Sequence, residues 1–208
     1  MNANPLTTLH RCATSLRLFV RPLQYFFLAA LMAAISGARA TELRLGSPYS
    51  LTFTDVDRHQ LSTSDGKVTI ITVVTRKDEQ KAHQVGDRVP HVCLGDPRFQ
   101  LISIVNFQRS IFLPLQGMIM AIVRSRMDAE AKDLQEVYAA RHLTRNPRSD
   151  IFVVADFDGK AVSQLGIAPS SSEFAVFVFS GHGRLVRRWN DVPSGEALST
   201  ALREALLR

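Results

Sequence analysis

The chain offers little sulfur or imidazole for chemistry: two cysteines and six histidines in 208 residues. Cys93 lies in Pro90-His91-Val92-Cys93-Leu94-Gly95. In extended backbone, residues 91 and 93 point to the same side, so an imidazole there could lower the thiol pKa and make Cys93 a nucleophile. The competing reading is a small buried hydrophobe between Val92 and Leu94. As a metal site His91-x-Cys93 is short of the three or four ligands a stable site needs. Asp156 and Asp158 could pair as carboxylates, yet Asp156-Phe157-Asp158-Gly159 after an apolar run has the composition of a turn. His182, between two glycines, reads as a hairpin residue. Arg76-Lys77 follow an apolar strand, and ligands collect at the carboxyl ends of strands in open α/β sheets. Basic side chains and helix N-terminal amides there would favour an anion or a peptide carboxylate; a solvated charged loop is the plainer alternative. Phosphate loops, H-E-x-x-H and G-x-S-x-G are missing from the sequence.

Charge narrows the partners. The formal net charge is +6, from 25 basic and 19 acidic residues. Arg11, Arg17, Arg21 and Arg39 fall in residues 1–40, which hold no acid, leaving 21 basic against 19 acidic side chains downstream. That balance is no nucleic-acid footprint. The same forty residues have the build of an export signal: a positive start, the apolar run Tyr25–Ile35, and Ala38-Arg39-Ala40 as a cleavage site. The apolar run is shorter than the roughly 20 residues of a spanning helix. The expected division is a signal peptide over 1–40 and one domain over 41–208. Cys12 would depart with the leader and Cys93 would remain.

The elements that must position these groups follow from hydrophobic patterning. Tyr49, Leu51 and Phe53 alternate with polar residues, as in a half-buried strand. After a polar turn ending at Asp65-Gly66, Val68–Val74 reads as a strand buried on both faces. A helix is expected over Asp78–Val89, and a second buried strand over Leu101–Phe107. Ile111–Val123, interrupted by Pro114 and Gly117, reads as a loop and helix packed on the sheet, with an exposed interaction patch as the minor alternative. Met127–Leu143 reads as a separate helix with Leu134, Val137 and Tyr138 on one stripe. Strands at Ile151–Ala155 and Phe174–Phe179, a short helix at Lys160–Leu165, a Gly-containing hairpin to Leu185–Trp189 and a last helix capped by Ser194 complete the chain. Helices alternating with buried strands, followed by a hairpin, imply a mixed sheet covered by helices.

With these residues in place, the sequence resembles the thioredoxin-like superfamily. Asp65-Gly66-Lys67-Val68 leading into the first buried strand, and Phe157-Asp158-Gly159-Lys160 through the hairpin to the last helix, carry the resemblance over most of residues 49–207. Redox-active members place Cys-x-x-Cys or a peroxidatic cysteine after the first core strand. Here that position reads Thr75-Arg76-Lys77-Asp78-Glu79-Gln80. The approach to the fourth strand, where active members place a cis-proline, reads Ser170-Ser171-Ser172-Glu173-Phe174. Ile104-Val105-Asn106 and the serine-rich approach are similar to the exported, cysteine-poor proteins called YtfJ-like.

The expected fold is thus a thioredoxin-like three-layer α/β/α sandwich with a mixed central sheet. The resemblance implies a redox-inactive binding or accessory module of the cell envelope, periplasmic or secreted. Its partner would be a periplasmic protein or peptide; no cofactor, metal or nucleic acid is implied, and membrane contact arises only if the leader is retained as an anchor. The expected binding surface joins Thr75, Arg76, Lys77 and Asp78 to Ser171, Ser172 and Glu173. The rival is a thiol oxidoreductase, a peroxidase or disulfide exchanger, using Cys93.

Overall fold

The structure, a computed structural model, describes residues 42–107 and 115–207. The expected leader and its cleavage site lie outside the described residues.

Thr52–Thr54 (β1) pairs antiparallel with Gln60–Ser62 (β2) in a small separate sheet. The second of these strands falls where a plain polar turn was expected. The turn between them is closed by Asp55, whose buried carboxylate accepts the backbone N–H groups of Asp57 and His59 and bonds the His59 ring at 2.8 Å. Such side-chain acceptors let polar sequence hold a tight connection, so a three-residue strand survives with only Leu61 buried.

The main sheet has five strands: Val68–Val74 (β3), Phe99–Asn106 (β4), Ile151–Asp156 (β5), Ala175–Phe179 (β6) and Leu185–Trp189 (β7). Their order is β5-β4-β3-β6-β7. β4 runs parallel to both β3 and β5, whereas β6 is antiparallel to β3 and β7 to β6. β3 is buried at all seven positions, because it lies at the centre and is covered on both faces. Helices Glu79–Arg88 (α1), Gln116–Ala140 (α2) and Gly195–Leu206 (α4) supply one layer, and the β1-β2 hairpin with Lys160–Gln164 (α3) supplies the other. On the hairpin side Ile71, Val73, Ile102, Ile104, Phe177 and Phe179 form the core; on the helix side β3, β6, α1 and α4 pack through Ile70, Val85, Val178, Leu198 and Leu202. The architecture is the expected three-layer α/β/α sandwich with a mixed central sheet.

Two expectations are corrected. The separate helices drawn around Ile111–Val123 and Met127–Leu143 are one 25-residue helix, α2. Gly117 falls in its first turn, where the backbone N–H has no intrahelical partner to lose, and Val123–Met127 contains no breaker. Residues 91–93 form a 3-10 turn and are not extended, which removes the shared-side argument for His91 acting on Cys93.

The hairpin turn shows why glycine stands at 183. Its φ is +73°, and a Cβ there would sit 2.1 Å from the Tyr49 carbonyl oxygen. Tyr49 donates its own N–H to the Gly183 carbonyl, tying the segment before β1 to the β6-β7 turn.

Candidate binding site

β3 delivers Thr75 to the carboxyl end of the sheet. Thr75 leaves the strand in extended geometry, its side chain accepts from the Lys77 N–H, and its N–H and hydroxyl both reach the Asp78 carboxylate, at 3.1 and 2.6 Å. This is a capping box, which satisfies orphan donors at a helix start. It nucleates the 3-10 turn Arg76–Asp78 and, directly after it, α1. Two of the expected site residues, Thr75 and Asp78, are therefore bonded to each other. Lys77 is exposed.

The antiparallel register places Val73 opposite Ala175, so the chain leaving β3 runs beside the chain entering β6. The two halves of the expected surface do share one end of the sheet. Ser171 accepts the Glu173 N–H at 3.1 Å, and Glu173 pairs with Arg188 at 2.8 Å; Ser172 is exposed. Asn106, at the end of β4, holds this loop. Its amide donates to the carbonyls of Pro169 at 3.0 Å and Ser171 at 3.3 Å. The sequence marked Asn106 as part of a family-like triplet, and the structure supplies its physical work.

Cys93 is elsewhere. It is 4% exposed and belongs to the cluster that includes Val68, Val85 and Val89. The loop after it enters β4 where Val68, the first residue of β3, donates to the Arg98 carbonyl. Cys93 thus lies at the end of the sheet opposite Thr75. Burial, and then the Asp96 charge, push its thiol up to about 11, against the opposing pull of Arg141 and Arg98. The Arg141 guanidinium donates to the carbonyls of His91 and Leu94, fixing the 3-10 turn.

The carboxylate pair also resolves. Asp156 is 4% exposed and accepts the Val162 N–H at 2.9 Å, while Asp158 bonds Lys160. Burial raises the Asp156 pKa against the hydrogen bond from Val162, with Asp158 adding to the rise. Both groups are spent on the turn into α3, as the turn reading expects. Among the described residues there is no cluster of three or more His, Cys, Asp or Glu suited to a metal.

One feature escaped the sequence reading in its main form. Between α1 and α2, over the carboxyl ends of β3 and β4, is a cleft of about 420 Å³. Val74, Ser103 and Val105 make its floor, and His83, Met118 and Ile122 stand on its walls. Met118 and Ile122 are 52% and 48% exposed. The exposed-patch alternative for Ile111–Val123 was the available signal, together with a serine inside the strand Leu101–Phe107.

No family model and no curated protein matches this chain. Among solved structures it is similar to a putative thiol:disulfide interchange protein DsbE from Chlorobium tepidum, at 12% identity and TM-score 0.48, over 79% of this chain and 99% of that one. It is also similar to a putative protein disulfide isomerase from Bacteroides thetaiotaomicron, at 12% identity and TM-score 0.49, over 80% and 92%. A peroxiredoxin-like protein from Aquifex aeolicus matches at 11% identity and TM-score 0.46, over 80% and 90%.

Proposed function

We propose that this protein is an exported binding or accessory module of the cell envelope, working without thiol chemistry at the carboxyl end of its sheet. The observation that carries the reading is the occupation of that end. A thiolate placed there would draw on helix N-terminal dipoles; in its place stands the Thr75–Asp78 capping box. The one cysteine among the described residues is buried at the opposite end with a raised pKa. Export rests on the leader-like sequence of residues 1–40, and kinship to the YtfJ-like proteins on Ile104-Val105-Asn106 and the serine-rich approach to β6.

The proposed surface presents Lys77 and Ser172 outward, framed by Thr75, Asp78, Ser171 and Glu173, with Arg76 the neighbour of Lys77 in the 3-10 turn. A cationic, hydroxyl-bearing surface beside a helix start suits a peptide carboxylate or an acidic protein segment. Capture from periplasmic extract tests it: the wild-type chain retains a partner that the Arg76→Ala/Lys77→Ala double variant loses. Equal capture by both would remove this surface from the proposal.

A further inference from the structure

On the helix-facing side of the sheet, β3 presents Val68, Ile70, Thr72 and Val74, and β4 presents Phe99, Leu101, Ser103 and Val105. Thr72 and Ser103 are register partners. Two short hydroxyl side chains therefore stand side by side at the middle of an otherwise aliphatic layer. Valine or isoleucine is the ordinary choice for such a position, and would fill the space beneath α1 and α2. With Ser103 the space stays open as the cleft. The Ser103 hydroxyl has no hydrogen-bond partner among the described residues. The half-buried Ser103 hydroxyl therefore faces the cleft, where a ligand can reach it.

The rim supplies charge. Arg126 of α2 lines the cleft and pairs through Nη1 with Glu79 of α1, so the two helices are bridged across its mouth. The Nε and Nη2 donors of the same fork have no partner among the described residues. A guanidinium fork matches a carboxylate in two parallel hydrogen bonds. An apolar concavity of this size with a few convergent polar groups has the build of a small-ligand site.

We propose that the cleft binds a small amphipathic carboxylic acid, its hydrocarbon chain lying over Val74, Val105 and Ile122 above the Ser103 floor and its carboxylate at Arg126. This site shares Thr75 with the edge of the partner surface but does not rest on Lys77.

Calorimetric titration of the full chain with octanoate, and separately with octanol, tests it. Wild type binds octanoate saturably, one per chain. Ser103→Leu, which fills the floor, abolishes that binding while keeping the wild-type thermal transition; Ser103→Val is the smaller filling should leucine disturb folding. Arg126→Gln weakens octanoate by about tenfold, the loss expected for one charge-assisted contact, and leaves octanol unchanged. Lys77→Ala leaves both ligands unchanged, separating this site from the partner surface. Absence of saturable octanoate binding, or wild-type octanoate affinity in both Ser103 variants, overturns the proposal. So does a dimer that Ser103→Leu dissociates without any octanoate effect, which would assign the cleft to a second copy.

Discussion

At the scale of single residues, burial decides what Cys93 is. The residue type alone allowed a nucleophile or a small hydrophobe; the 3-10 turn and its 4% exposure choose the second. Alkylation of the native chain between pH 7 and 9 is expected to be far slower than that of the same thiol in denaturant, since only the thiolate attacks and the native pKa is about 11. Native and denatured rates that coincide would remove this account. The sign for stability follows. A thiol whose folded pKa lies above the unfolded value of about 8.5 contributes fully below that value. Its contribution is lost as pH rises toward the folded value. Cys93→Ala should flatten the stability profile in that alkaline window, read as denaturant midpoints from pH 8 to 11. Sequence could not reach this result because pKa depends on what surrounds the sulfur, and those neighbours come from β3, α1 and the loop to β4.

At the scale of elements, termini were legible where a side chain closes its own backbone. Ser194 accepts the Ala197 N–H at the start of α4; of the apolar face expected over Ala197, Leu198, Ala201, Leu202, Ala205 and Leu206, the middle four are buried, whereas Leu206 in the last turn is exposed. The α1 start was placed correctly to within a residue, but its capping box was not foreseen. The break expected between Val123 and Met127 is absent because the polar stretch Arg124-Ser125-Arg126 continues the helix on its outer turns. The loop before β6 depends on a residue far from it in sequence, Asn106, through two bonds to carbonyls. Asn106→Ala should cost about 1–2 kcal/mol, the order expected for losing two part-buried side-chain hydrogen bonds. Hydrogen exchange should show the loss as faster exchange confined to the backbone around Ser171–Glu173. Uniform loss of protection across the sheet would mean that Asn106 serves β4 itself and not the loop.

At the scale of the whole molecule, the edge of the sheet beside β5 is held by ions. Asp57 receives Arg148 at 2.6 Å and Arg124 at 3.1 Å, and Arg148 also meets Asp128. The loop after β1, α2 and the 3-10 turn Pro147–Asp150 are thereby joined, with Val56, Met127 and Val153 packed beneath. Burial would raise the Asp57 carboxyl, but the hydrogen bonds from Arg148 and Arg124 outweigh it and hold the pKa below the ordinary range. A carboxylate depressed in this way stabilises the fold above its unfolded pKa, and that stabilisation disappears as pH falls through the folded value. Asp57→Asn is therefore expected to lose about 1.5–3 kcal/mol near pH 7, the range for hydrogen bonds to charged groups. The difference from wild type should shrink below pH 4 in parallel thermal or urea melts; a gap that stays constant with pH would show that charge is not its source. By itself the sequence determined the five strands of the main sheet, its mixed character and the lack of sulfur after the first core strand, because these follow from local periodicity and residue type. Tertiary structure alone decided that Cys93 is buried at the far end and that Asn106 tethers the β6 approach. It also decided that Ser103 opens a cleft between two helices. Each of those depends on which distant side chain arrives within a few ångströms, and spacing along the chain does not encode that.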